Sequence, residues 1–196
     1  MNLANKLTII RIFLVPVFIV FITLQFSYYG IIIATLIFII ASLTDKLDGY
    51  IARKRNQITH FGKFMDPLAD KLLVTAALIS LVELKSIPAW AAIIITAREF
   101  AVSGLRTLAA DQGIVLAASW WGKIKTATQI VAILFMLIKQ IIIEMPHLNL
   151  YFSKMPHFMN NLTIVATILI YLAVIITIIS GIDYFVKNKT VINLEK

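Results

Sequence analysis

Asp45-Lys46-Leu47-Asp48-Gly49-Tyr50-Ile51-Ala52-Arg53, followed after eight residues by Gly62-Lys63-Phe64-Met65-Asp66-Pro67-Leu68-Ala69-Asp70, places four carboxylates in an otherwise strongly apolar chain. A carboxylate at the centre of a membrane helix costs about 3 kcal/mol even on lenient insertion scales. Regularly spaced carboxylates in such a setting need compensating charge, and bound divalent metal is the simplest source. Asp45, Asp48, Gly49 and Ala52 stand at i, i+3, i+4 and i+7, one face of a helix. Gly62, Asp66, Ala69 and Asp70 form a matching stripe if the next helix starts early. Facing each other, the two stripes make a cage of hard oxygen ligands suited to Mg²⁺ or Mn²⁺, and Mg²⁺ characteristically works with phosphate substrates. Gly49, Ala52 and Gly62 remove side-chain bulk beside the cage, and Arg53 is placed to grip a phosphate with its fork of donors. The competing account is a set of structural salt bridges with Lys46 and Lys71. Lys46 follows Asp45 directly and so belongs to another face of the helix.

The rest of the chain explains why these carboxylates matter. Of 196 residues, 60% are hydrophobic and only 14% are charged, against about 25% charged in a soluble domain. The mean hydropathy is +0.91. This composition describes an integral membrane protein of one domain, residues 1–196. The absence of cysteine excludes disulfides and thiolate-bound metal. A net charge of +8 raises the possibility of nucleic acid. The basic residues, however, lie in short segments between apolar runs, which points to membrane topology and anionic lipid.

Hydropathy predicts six spans of about 20 residues each, near 7–27, 30–53, 65–84, 87–109, 121–143 and 161–186. Pro16 is expected to kink the first, and Pro146 and Pro156 to bracket the only long loop. The side holding both termini collects twelve basic residues (Lys6, Arg11, Arg53, Lys54, Arg55, Lys63, Arg106, Lys123, Lys125, Lys187, Lys189 and Lys196) against Lys85, Lys139 and Lys154 on the other. That bias predicts cytoplasmic termini. A secretory signal peptide is disfavoured, because Arg11 interrupts the first apolar run and no small-x-small site follows near Ser27. Lys6 and Arg11 are expected at the headgroups. In this topology Asp45 lies roughly 10–12 Å and Asp70 roughly 7–8 Å from the inner helix ends at 1.5 Å per residue, so both pairs share the inner third of the bilayer.

The pattern D-x-x-D-G-x-x-A-R, eight residues, then G-x-x-x-D-x-x-x-D resembles the signature of the CDP-alcohol phosphatidyltransferase family at every specified position. Further stretches fit the branch of that family that uses sn-glycerol 3-phosphate. They are Asn2 to Arg11, Arg98 to Arg106, Gly122 to Thr126 and Ser180 to Phe185, with Ala4 standing where that branch usually has proline. The resemblance implies an all-α integral membrane protein of six transmembrane helices, usually a homodimer, with a polar metal-binding site near the cytoplasmic side of a bacterial cell membrane. It implies transfer of the phosphatidyl group from CDP-diacylglycerol to sn-glycerol 3-phosphate, with release of CMP. Asp45, Asp48 and Asp66 would be the main ligands of two Mg²⁺ or Mn²⁺ ions. Asp70 would be the general base, with a place beside the second ion. Gly49, Ala52, Arg53 and Gly62 would border CDP-diacylglycerol, with Asn5 and Thr8 lining the donor pocket or capping a helix.

An acceptor bound through phosphate calls for a basic pocket. Arg98, Arg106, Lys123 and Lys125 are the clustered candidates, with Glu99 as a structural partner for Arg98 and topology marking as the rival role of the two lysines. His60, His147 and His157 are isolated and receive no catalytic role. Two rivals remain at this stage. One is a relative using serine, inositol phosphate or phosphatidylglycerol as acceptor. The other is a divalent-cation transporter, although no ladder of carboxylates continues toward the outer face.

Overall fold

The computed structural model describes residues 3–23, 29–54, 60–114, 116 and 119–189. Among them the structure is all helical: α1 (Leu3–Thr23), α2 (Gly30–Lys54), α3 (His60–Glu83), α4 (Ala89–Asp111), α5 (Trp120–Glu144), α6 (Pro146–Ser153) and α7 (Pro156–Lys187). Six are long, between 21 and 32 residues, and match the six apolar runs. α1 is continuous through Pro16.

The expected loop between Pro146 and Asn161 is a correction. It contains α6, and α7 begins at Pro156 rather than near residue 161. The physical reason lies in the two prolines. Each sits in the first turn of its helix, where the missing N–H has no intrahelical acceptor to lose and the fixed φ favours helix. They start helices here instead of bounding a loop.

The long helices form two groups, α1 with α2 and α3, and α7 with α4 and α5, joined by contacts of α2 and α3 with α5 and of α3 with α4. Fully buried alanines at 34, 41, 69, 77, 91, 132, 166 and 173 mark the crossings. Small residues let backbones approach closely where lipid supplies no hydrophobic drive between helices. At Gly30 a Cβ would lie 2.6 Å from the Phe21 carbonyl oxygen, so only glycine lets α2 start this close to α1.

Side-chain pairs fix the helix directions. Trp90 stacks on Tyr171, Arg98 bonds Ser180 and Arg106 bonds Tyr184, so α4 and α7 run parallel. Ser86 bonds Gln140 while Lys125 pairs with Glu99, so α5 runs antiparallel to α4.

The outward faces are apolar. On α7, Ile164, Ile168, Leu172, Ile175, Ile179, Ile182 and Val186 are all exposed, and α1 presents Ile10, Phe13, Val17 and Val20 in the same way. A soluble monomer does not carry bands of this extent. Such faces fit a membrane protein, and α5 and α7 are each long and apolar enough to cross a membrane, with shorter apolar stretches at Thr8–Thr23 and Gly30–Thr44.

Candidate active site

The four aspartates fall on two neighbouring helices, Asp45 and Asp48 near the end of α2, Asp66 and Asp70 near the start of α3. Their side chains lie outside the described residues, as do those of Asn5, Gly49, Ala52, Arg53 and Gly62. The backbone register is nevertheless informative. On α2 the buried stripe runs Ile31, Ala34, Phe38 and Ala41, and positions 45 and 48 continue it at i+7 from Phe38 and Ala41. On α3, positions 66 and 70 stand two turns before buried Leu73 and Ala77, with fully buried Ala69 between them. Both pairs thus continue, by helical register, the buried stripes of two helices that pack on each other. Acceptor-only oxygens at such positions fit a hard divalent cation better than they fit an apolar core.

α1 packs on both of these helices. Asn5 and Thr8 lie inside the helix that runs from Leu3, which removes the capping account of both. Thr8 is fully buried. Arg11, expected at the headgroups, is instead only 2% exposed and among the largest fully buried side chains. The apolar run hid this. Its buried positions Thr8, Arg11, Val15, Phe18 and Ile22 alternate in steps of three and four, and Arg11 belongs to that stripe rather than to the lipid face.

The second cluster is fully drawn. Arg98 on α4 donates from Nη2 to Ser180 Oγ on α7 at 2.6 Å. Its stem crosses α7 at Gly181, where a Cβ would stand 3.2 Å from Arg98 Cγ. Two turns on, Arg106 Nε donates to Tyr184 Oη at 3.0 Å, with its guanidinium 5.3 Å from the Tyr184 ring centre. Glu99 forms an ion pair with buried Lys125 of α5 and lies 3.9 Å from Arg98 Nη1. Arg98 Nε is buried and makes no hydrogen bond among the described residues. Arg98, Arg106 and Lys125 are thereby brought together. Lys123 is not, since it is exposed and sits 5.7 Å from the ring centre of exposed Trp120. Two residues along a helix is about 200°.

This cluster and the aspartates share a level. Lys71, next to Asp70, bonds Ser103 of α4, which lies between Glu99 and Arg106. The basic set therefore stands across α4 from the start of α3. Sequence reasoning gave no role to Ser180, Tyr184 or the Glu99–Lys125 pair. The available signal was a polar row at Thr177, Ser180 and Tyr184 along the buried face of an otherwise apolar α7.

The sequence that builds this all-helical apolar bundle, with paired aspartates on adjacent helices and a basic cluster on α4, α5 and α7, is similar to known proteins. The family model for CDP-alcohol phosphatidyltransferase matches residues 1–179, and the chain belongs to that family. It is 42% identical over 198 aligned positions to the CDP-diacylglycerol–glycerol-3-phosphate 3-phosphatidyltransferase of Bacillus subtilis (strain 168), covering 95% of each chain. It is 40% identical to the protein of the same name from Haemophilus influenzae, covering 93% of this chain and 91% of that one. A probable phosphatidylglycerophosphate synthase of Mycobacterium tuberculosis is 35% identical over 95% of this chain and 81% of its own length.

Proposed function

We propose that the protein transfers the phosphatidyl group of CDP-diacylglycerol to sn-glycerol 3-phosphate, giving phosphatidylglycerol phosphate and CMP. The observation that carries this reading is similarity at 40–42% identity, over nearly the whole length, to relatives named for that activity. The cluster on α4, α5 and α7 is its structural complement. Arg98, Arg106 and Lys125 set against Glu99 leave two net positive charges, the complement of a phosphate monoester dianion.

In the reaction, a hydroxyl oxygen of glycerol 3-phosphate bonds to the phosphorus that carries diacylglycerol. The bond from that phosphorus to the CMP oxygen breaks, and the hydroxyl proton passes to Asp70 as general base. Asp45, Asp48 and Asp66, with Asp70, are assigned to two divalent cations, Mg²⁺ or Mn²⁺. Such ions supply charge neutralisation on the diphosphate and its leaving group. Gly49, Ala52, Arg53 and Gly62 border the cytidine diphosphate, and Asn5 and Thr8 line the same side from α1. Arg98, Arg106 and Lys125 hold the acceptor through its phosphate. Lys123, on the exposed side of α5, is left out of the pocket. In the membrane α1 to α5 and α7 each span, both termini and the site face the cytoplasm, and two chains form a homodimer. The charge bias of twelve to three supports that orientation.

The test is purified protein with labelled CDP-diacylglycerol, Mg²⁺ and a panel of alcohols, scoring CMP release. Glycerol 3-phosphate is expected to be the one strong acceptor. Equal release with glycerol, serine or inositol phosphate would refute the acceptor assignment.

A further inference from the structure

Arg11 is a permanently charged group buried at 2% exposure inside an apolar bundle. A guanidinium cannot shed its proton in a protein, so its burial requires an opposing charge nearby. The register of α1 against α2 indicates which positions are candidates to supply it. The hairpin is antiparallel, tight at Gly30 under Phe21, and farther in the rings of Phe18 and Phe38 pack at 6.2 Å. Seven residues are two helical turns and return to the same face. Two turns from Phe18 toward the start of α1 is Arg11, and two turns from Phe38 toward the end of α2 is position 45. One turn farther along each helix are fully buried Thr8 on α1 and position 48 on α2. α1 also packs along α3, which carries positions 66 and 70.

We propose that Arg11 is a built-in counter-charge of the aspartate cage, paired with Asp45 and holding the inner ends of α1, α2 and α3 together when no divalent cation is bound. It is a positioning residue. It touches neither substrate, and its effect is largest in the metal-free protein, where no bound ion shares the task of opposing the carboxylates. The inference rests on the reading of Asp45, Asp48, Asp66 and Asp70 as one cage. It does not rest on turnover.

The experiment is a double-mutant cycle on the full chain in detergent, with thermal unfolding midpoints for wild type, Arg11→Met, Asp45→Asn and the double variant in excess chelator and in Mn²⁺. In chelator, Arg11→Met should lower the midpoint by about 6 °C or more, the scale for breaking a buried pair in a chain of this size. Adding Asp45→Asn should recover much of that loss, and Arg11→Lys should lose less than Arg11→Met. Mn²⁺ should narrow the gap between wild type and Arg11→Met. Additive losses in the double variant, or an identical gap with and without Mn²⁺, would reduce Arg11 to a packing residue and overturn the proposal. If Arg11→Met gives no folded protein, a folded double variant supports the pairing and an unfolded one refutes it. Absent CMP release in wild type would sink the catalytic reading and leave this cycle unaffected.

Discussion

Asp70→Asn is expected to cut CMP release by about 10²–10⁴-fold, the span of a lost general base, while CDP-diacylglycerol binding stays close to wild type. A base acts on the proton of the attacking hydroxyl, so its effect falls on the transition state rather than on ground-state binding. Asparagine keeps the shape and removes the proton acceptor. Asp48→Asn, on the other helix, should instead weaken divalent-cation binding first and lose turnover in consequence. Because Asp70 also stands beside the proposed second ion, Mn²⁺ affinity is measured together with donor affinity and turnover for both variants. Turnover near wild type in Asp70→Asn would reject the assignment of the base.

Stripping the divalent cation should abolish CMP release outright. Four clustered carboxylates on α2 and α3 would carry more negative charge than one arginine can oppose, and an anionic diphosphate cannot approach such a site unaided. Activity should return when Mg²⁺ or Mn²⁺ is added back after excess chelator, and Ca²⁺, larger and tolerant of more ligands, should restore it poorly. Full CMP release in chelator would remove the metal from the account and favour structural salt bridges.

Much of the fold was legible because membrane helices obey a short list of rules. Length, apolar content and flanking charge place α1 to α5 within five residues of their observed ends. The failures share a cause. Pro146 and Pro156 fit loop boundaries by sequence, whereas proline is equally at home in a first helical turn, and nothing local distinguishes the two uses. Arg11 looks like a headgroup residue by sequence because a basic residue near a helix start usually snorkels. Its true setting depends on which face α1 turns to α2, and that is set by the tight crossing at Gly30 and the Phe18–Phe38 contact. The aspartate spacing was readable because it lies within two helices. The basic cluster on α4, α5 and α7 was half readable. Arg98, Arg106 and Lys125 stood out by charge, but Ser180, Tyr184 and Gly181 join them only through the parallel packing of α4 on α7. The separation of Lys123 from Lys125 follows from helical geometry, and the structure puts Lys125 on the buried side.

The central claim is that the acceptor is held through its phosphate by the α4–α5–α7 cluster, at the level of Asp70. Its most direct test is the Michaelis constant for glycerol 3-phosphate in Arg106→Ala and Lys125→Ala, measured beside that for CDP-diacylglycerol. A charge-assisted bond to phosphate contributes about 1.5–3 kcal/mol, so each variant should raise the acceptor constant about tenfold or more and leave the donor constant nearly unchanged. An unchanged glycerol 3-phosphate constant in both variants, or an equal rise for donor and acceptor, would contradict the account.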